Sequence, residues 1–328
     1  MSDLHDPRAL AARTFALQAL GLETATFAPA SADASFRRYF RLSHAGESWV
    51  VMDAPPERED CRPFLHVAQL MLDAGINSPR ILAQDLSQGF LLLSDLGRQT
   101  FLHVIDEQNA DALFTDAIIA LVQWQQASRA GVLPPYDEAL LARELALFPD
   151  WYVARHLGRS FTPEQQGWWD AGCKLLIARA LAQAKVFVHR DYMPRNLMVS
   201  QPMPGVLDFQ DAVHGPISYD LASLFKDAFL SWPAERVAGW RQQYWDAARA
   251  AGLPVPSDYA EFVRDFDLMG LQRHLKVLGI FARINYRDGK PAYLADTPRF
   301  IRYVREVVDT DAELLPLKQL FDSLALAA

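Results

Sequence analysis

The segment Val186–Leu224, VFVHRDYMPRNLMVSQPMPGVLDFQDAVHGPISYDLASL, constrains this chain more than any other. Two short apolar strands, Val186–Val188 and Gly205–Leu207, flank a polar loop. Asp191 follows the first strand, Asn196 lies five residues later, and Asp208 follows the second strand twelve residues after that. Phosphoryl transfer asks a protein for a carboxylate beside the attacking hydroxyl and for oxygen donors that hold magnesium on the phosphates. Magnesium takes one or two protein oxygens and completes its shell with phosphate and water. Asp191 as base, with Asn196 and Asp208 as metal ligands, meets that requirement, with ATP as co-substrate and Mg2+ as cofactor.

The whole chain is compatible with such chemistry. At 328 residues it suits one large domain or two packed lobes, and 51% apolar with 22% charged residues is ordinary for a globular protein. A net charge of −8 argues against a general nucleic-acid binder. Cys61 and Cys173 are far apart, fit no metal spacing, and read as buried thiols in a reducing compartment. The N-terminus lacks a signal-peptide pattern and no run has the apolar length to span a bilayer, so the protein reads as cytoplasmic, with no membrane association and no obligate protein partner evident.

In chain order, residues 4–22 read as a helix closed by Gly21. A small polar run, Ser31 to Ser35, precedes a strand over 36–42. There Phe36, Arg38, Phe40 and Leu42 share one face, and Arg37, Tyr39 and Arg41 the other. A second strand covers Trp49–Asp53, a helix 61–74, and a strand pair 81–83 and 90–93. Beyond these the pattern is helical over 110–126, from Asp137 to 148, and from the Thr162-Pro163-Glu164-Gln165 capping box to 183. Further helices are expected over 220–229, 233–251, 258–284, 298–308 and 312–326.

HRDxxxxN followed by a strand ending in Asp-Phe resembles the protein-kinase signature, with Gln210 where the glycine would stand. The sequel GPISYDLASL instead resembles the aminoglycoside phosphotransferase and choline kinase superfamily, and LLLSDLG (91–97) resembles its strand-to-hinge passage. The resemblance implies an α+β, protein-kinase-like two-lobe fold. A small antiparallel-sheet lobe (1–95) would bind the nucleotide, and a mostly helical lobe (96–328) would carry the catalytic loop and sugar site. Adenine would be read by the hinge backbone at Ser94, Asp95 and Leu96. A kinase would place a lysine near the end of Trp49–Asp53 to contact the phosphates. Met52 and Asp53 supply no cation, so Arg37 and Arg38 are the candidates, the alternative being solvated strand arginines. Glu57 and Glu59 are counterparts of the glutamate that pairs with that lysine. No glycine-rich loop is present; Ser31 and Ser35 are candidates for its place, against a plain surface loop.

The fuller resemblance is to the anomeric kinases of N-acetylmuramate and N-acetylglucosamine in bacterial cell-wall recycling. It rests on blocks spread over nearly the whole chain, among them SADASFRRYFRL, WVVMDAPPE, LFPDWYVARHLG, GVLDFQDA and LMGLQRHLKVLGIFARI. It implies transfer of the γ-phosphate of ATP to the C1 hydroxyl of an amino sugar, with Asp191 as acceptor of the proton. His189 and Asp220 would support the loop. Arg195, Asp211 and Arg273 are candidates for the substrate, an arginine fork suiting the lactyl carboxylate of N-acetylmuramate. The alternatives are a kinase of an aminoglycoside, choline or homoserine, and a nucleotide-binding regulator without turnover.

Overall fold

The computed structural model describes residues 6–31 and 37–327. The chain divides into two compact units, Met1–Trp124 with Pro194–Asp211, and Gln125–Met193 with Ala212–Ala328.

The first unit opens with α1 (Pro7–Leu20). The Asp6 carboxylate accepts the Ala9 N–H, proline occupies the first turn, and Gly21 at φ 66° closes the helix. There follow β1 (Thr26–Ser31), β2 (Arg38–His44), β3 (Glu47–Asp53), α2 (Arg62–Asp73), β4 (Ile81–Asp85) and β5 (Phe90–Ser94), then α3 (Phe101–Val104) and α4 (Ala110–Gln126). Among the described residues the strands form one antiparallel sheet in the order β1-β2-β3-β5-β4. Ala45 and Gly46, both at positive φ, make the two-residue turn between β2 and β3. Alternation then decides what each face does. Phe40, Leu42, Val51, Phe90 and Leu92 pack against Ala9, Ala12 and Ala16 of α1, whose small side chains let the helix lie close to the sheet.

The sequence alone marks no element between Gly21 and Ser31, where β1 lies. Its sequence, Thr-Phe-Ala-Pro-Ala-Ser, has a weak strand signal. It is nonetheless an edge strand, where Pro29 leaves no inner ladder bond unmade. Ser31 is its last residue and pairs with Tyr39 after a one-residue shift in register; Ser35 lies outside the described residues.

The second unit contains α5 (Glu138–Leu147), a π-helical turn over Phe148–His156, α6 (Pro163–Ala182) and β6 (Lys185–Val188). The chain then returns to the first unit for a hairpin of β7 (Leu197–Met198) and β8 (Gly205–Val206). It re-enters the second unit with β9 (Val213–Pro216), α7 (Tyr219–Phe225), α8 (Ala234–Ala250), α9 (Tyr259–Asp288), α10 (Thr297–Val308) and α11 (Leu315–Ser323). The strands expected over 186–188 and 205–207 therefore do not form one ribbon. β6 pairs with β9, and β8 with β7. The helix expected over 220–229 ends at Phe225. Phe148, Tyr152, Trp169, Phe281, Phe300 and Phe321 centre the main helical core, and among the described residues no helix is long and apolar enough to cross a membrane.

Candidate active site

In the first unit, the sheet face opposite α1 lines a cavity of about 280 Å³. Tyr39 and Arg41 of β2, Val50 of β3 and Leu93 of β5 face it, as does Phe64 of α2, whose ring packs on Phe209 at 4.8 Å. Ser94, Asp95 and Leu96 line one end. Arg41 grips that end: its fork meets the Asp95 carboxylate at 2.5 and 2.9 Å and donates to the Gly97 carbonyl at 2.6 Å. Burial alone would raise the Asp95 pKa, but the hydrogen bonds from Arg41, the Ser48 hydroxyl and the Gly97 N–H bring it below the usual value.

Asn196, Asp208 and Arg195 stand at the same cavity. The β7–β8 hairpin explains how residues twelve apart meet. Leu197 pairs with Val206 and Met198 with Gly205, and the Leu207 N–H donates to the Asn196 carbonyl at 2.9 Å, so Asn196 and Asp208 flank the ribbon at its open end. Their side chains approach to 3.5 Å. Asp208 has φ 64°, a left-handed conformation that aspartate tolerates better than most residues. Gln210, in the place of the missing glycine, donates to the other Asp208 oxygen at 3.0 Å. The hairpin is tied to the unit by Asn77, whose carbonyl accepts from Val206 N–H at 2.7 Å and whose amide donates to the Ser200 hydroxyl at 3.0 Å. In this arrangement the Asn196 amide nitrogen faces the Asp208 carboxylate; turned over, the amide would set its oxygen beside the carboxylate, the kind of donor set magnesium takes.

In the second unit, β6 leads into His189, Arg190 and Asp191. Asp220, fully buried at the first turn of α7, accepts the backbone N–H groups of His189 at 2.7 Å and Arg190 at 2.9 Å. Burial pushes the Asp220 pKa up to about 7, against the pull of those two N–H groups. The His189 Nδ1 accepts from the Asp191 N–H at 3.2 Å, so the loop is pinned on both sides of Arg190, which sits at φ 77°.

The Arg190 guanidinium reaches the buried Glu144 at 2.5 Å. Glu144 also accepts from Lys276 at 2.8 Å, Gln272 at 3.2 Å and the Tyr136 hydroxyl. Lys276 in turn donates to the Tyr219 hydroxyl at 3.0 Å. Sequence reasoning did not single out Glu144, which lies in an amphipathic helix with no motif around it; the signal was a carboxylate at a core position.

The other expected residues are placed as follows. Arg38 lies on the α1 face of β2, where it pairs with Asp6 and, at 2.5 Å, with the buried Asp53 that Arg8 also holds. That engagement takes Arg38 away from the cavity and corrects its assignment to the nucleotide. Arg37 pairs with Glu59 at 3.2 Å, while Glu57 is exposed. Asp211 is exposed. Arg273 is 3% exposed on α9, near the charges of Asp220 and Asp227, and its Nη1 has no hydrogen-bond partner. Cys61 is buried and Cys173 half-buried; neither is in a disulfide.

Residues 26–262 match the phosphotransferase enzyme family. The chain is 60% identical to an N-acetylmuramate/N-acetylglucosamine kinase of Pseudomonas aeruginosa, over 90% of this chain and 88% of that protein. A protein of the same name from Neisseria meningitidis serogroup B is 51% identical over 88% and 87% of the two chains. The fold is that of a Streptococcus pneumoniae choline kinase structure, matched with a TM-score of 0.64 at 11% identity over 90% of this chain and 98% of that one. It is the protein-kinase-like α+β fold, with an antiparallel sheet first and mostly helices after.

Proposed function

The chain belongs to the phosphotransferase enzyme family, and from that premise we propose that it is an ATP-dependent anomeric kinase. Its acceptor is the C1 hydroxyl of N-acetylmuramate, N-acetylglucosamine or both, and its product the sugar 1-phosphate, formed in the cytoplasm during bacterial peptidoglycan recycling. The observation that carries this reading is the hairpin-closed pair Asn196 and Asp208, 3.5 Å apart at a cavity whose other end is the Ser94–Leu96 segment. The names and the extent of the relatives supply the acceptor.

The residues act as follows. Adenine lies against the backbone of Ser94, Asp95 and Leu96, and Ser31 and Ser35 are the residues proposed to serve the phosphates; the nucleotide-binding and helical parts of the chain are taken to divide near residue 95. Asn196 and Asp208 hold magnesium, which when bound neutralises charge on the transferring phosphates. Asp191 accepts a hydrogen bond from the C1 hydroxyl, aligns it, and takes its proton as the bond from O1 to the γ-phosphorus forms and ADP departs. An anomeric hydroxyl is more acidic than an ordinary alcohol, so a positioned carboxylate suffices as acceptor. Asp220 and His189 hold the loop that aims Asp191. For the lactyl carboxylate the cation proposed is Arg195, beside Asn196, with Arg273 and its unpartnered Nη1 as the second candidate and Asp211 as a further polar contact.

ADP release with magnesium-ATP over N-acetylmuramate, N-acetylglucosamine, kanamycin and choline tests the reading. Turnover of the N-acetyl sugars, with kcat lowered about 10²- to 10⁴-fold in Asp191→Asn, is the expected result. Turnover confined to the cationic acceptors would overturn it.

A further inference from the structure

Strand β3 lacks a phosphate-contacting cation, and the sheet shows where a replacement can stand. β3 presents Val50 and, by alternation, Met52 to the cavity face, while Asp53 is turned to α1 and bound by Arg8 and Arg38. The ladder pairs Arg41 with Val50 and Tyr39 with Met52. The cavity face of β2 thus reads Arg41 and Tyr39; Arg37 is the residue just before the strand, and alternation carries it to the same side. Arg41 is committed to Asp95 at the hinge end. Arg37 lies four residues back from Arg41, roughly 13 Å away at strand rise, and so away from the Ser94–Leu96 end of the cavity.

Two further contacts favour a built site over a solvated arginine. Glu59, in the turn before α2, meets the Arg37 Nε at 3.2 Å, and both side chains are largely buried, at 16% and 18% exposure. This is the pairing of a phosphate-contacting cation with a glutamate near the following helix, moved one strand over. Asp211, three residues after the metal ligand Asp208, is also close enough for its charge to stabilise the Arg37 cation, although burial works against it. Arg37 therefore sits beside the segment that carries a magnesium ligand.

We infer that Arg37, oriented by Glu59, is the residue that binds the nucleotide phosphates in place of the absent β3 lysine. The assignment rests on the reading of the cavity as an ATP site. A guanidinium suits the role because its fork can present one edge to Glu59 and another to phosphate oxygens. Glu59 is a positioning residue: it does not touch the nucleotide but fixes the plane of the fork.

Calorimetric titration of adenosine, magnesium-ADP and a magnesium complex of a non-hydrolysable ATP analogue tests the assignment. In Arg37→Ala, affinity for ADP and the analogue is expected to fall at least tenfold while that for adenosine stays within twofold; Arg37→Lys should recover most of the loss. Glu59→Gln, which keeps the cation, should weaken magnesium-ADP while leaving adenosine within twofold; it serves as the second variant if Arg37→Ala folds poorly, and unchanged ADP affinity there would overturn the positioning role of Glu59. Unchanged ADP affinity in Arg37→Ala, in a protein whose wild type binds ADP, would overturn the role of Arg37 alone. An equal loss for adenosine would also overturn it, because the effect would then not lie at the phosphates. Failure of the wild type to bind any adenine nucleotide would overturn the ATP reading together with it. Loss on Arg195→Ala with none on Arg37→Ala would transfer the role to Arg195.

Discussion

Glu144 ties the loop after β6 to the helical core through its pairing with Arg190. It is 5% exposed and gathers Arg190, Lys276, Gln272 and Tyr136 around one carboxylate. Burial alone would raise its pKa, but the charges of Lys276 and Arg190 and the hydrogen bonds of Lys276 and Tyr136 lower it to about 2. A carboxylate whose folded pKa lies below its unfolded value contributes stability above the unfolded pKa, and that contribution fades as pH falls through the folded one. Glu144→Gln is therefore expected to cost about 3–5 kcal/mol at neutral pH, since it strands two buried cations. It should also flatten the loss of stability between about pH 4.5 and about 2, read by urea titration at a series of pH values. An acid limb as steep as that of the wild type would refute the account of Glu144. At this scale the approach of Asn196 to Asp208 was legible, because their spacing and strand context agree with one chemistry. The face that Arg38 takes was not: alternation separates the two faces of the strand but does not say which face α1 covers, and that is decided by Ala9, Ala12 and Ala16, far earlier in the chain.

Elements show the same division between what local pattern carries and what packing decides. α4 and the capping box of α6 stand where periodicity and Thr162 put them, since both signals are local. β1 was missed because a strand at a sheet edge needs little intrinsic propensity. The early end of α7 was missed because Lys226 leaves helical geometry, at ψ 59°, with no glycine or proline there to mark it. Close approach of α9 to the end of α5 is a further tertiary matter. A Cβ added at Gly279 would stand 2.3 Å from the Leu147 carbonyl carbon and oxygen, so the two backbones would have to separate. Alanine gains about 1 kcal/mol of helix propensity over glycine. Overpacking against an immobile backbone costs roughly 1–3 kcal/mol or more. Gly279→Ala should therefore lower the urea midpoint, and Gly279→Val lower it further. A raised midpoint in Gly279→Ala would show that the backbones give way without strain.

Across the whole molecule, the sheet-bearing unit is not a single stretch of chain. It runs past the boundary expected at residue 95, through α3 and most of α4, and recovers 194–211 from the middle of the helical half. The reason is physical: the hairpin residues bond to the first unit through Asn77, Gln99 and the Thr100–Met198 bridge. Asn196 and Asp208 thus belong to one unit, while Asp191, five residues earlier, belongs to the other. A motif read along the sequence carries the spacing of these groups but not that division, because which unit claims a loop depends on partners far along the chain, such as Asn77 for Ser200.

The account stands or falls on the atom that receives the phosphoryl group. Turnover should be followed by ADP release with N-acetylglucosamine and, in parallel, with its 1-O-methyl glycoside, in which C1 carries no hydroxyl and every other hydroxyl is kept. The account predicts steady turnover of the free sugar, a phosphorus resonance coupled to the anomeric proton, and no turnover of the glycoside. Comparable turnover of the glycoside would contradict it and place the transfer at another hydroxyl.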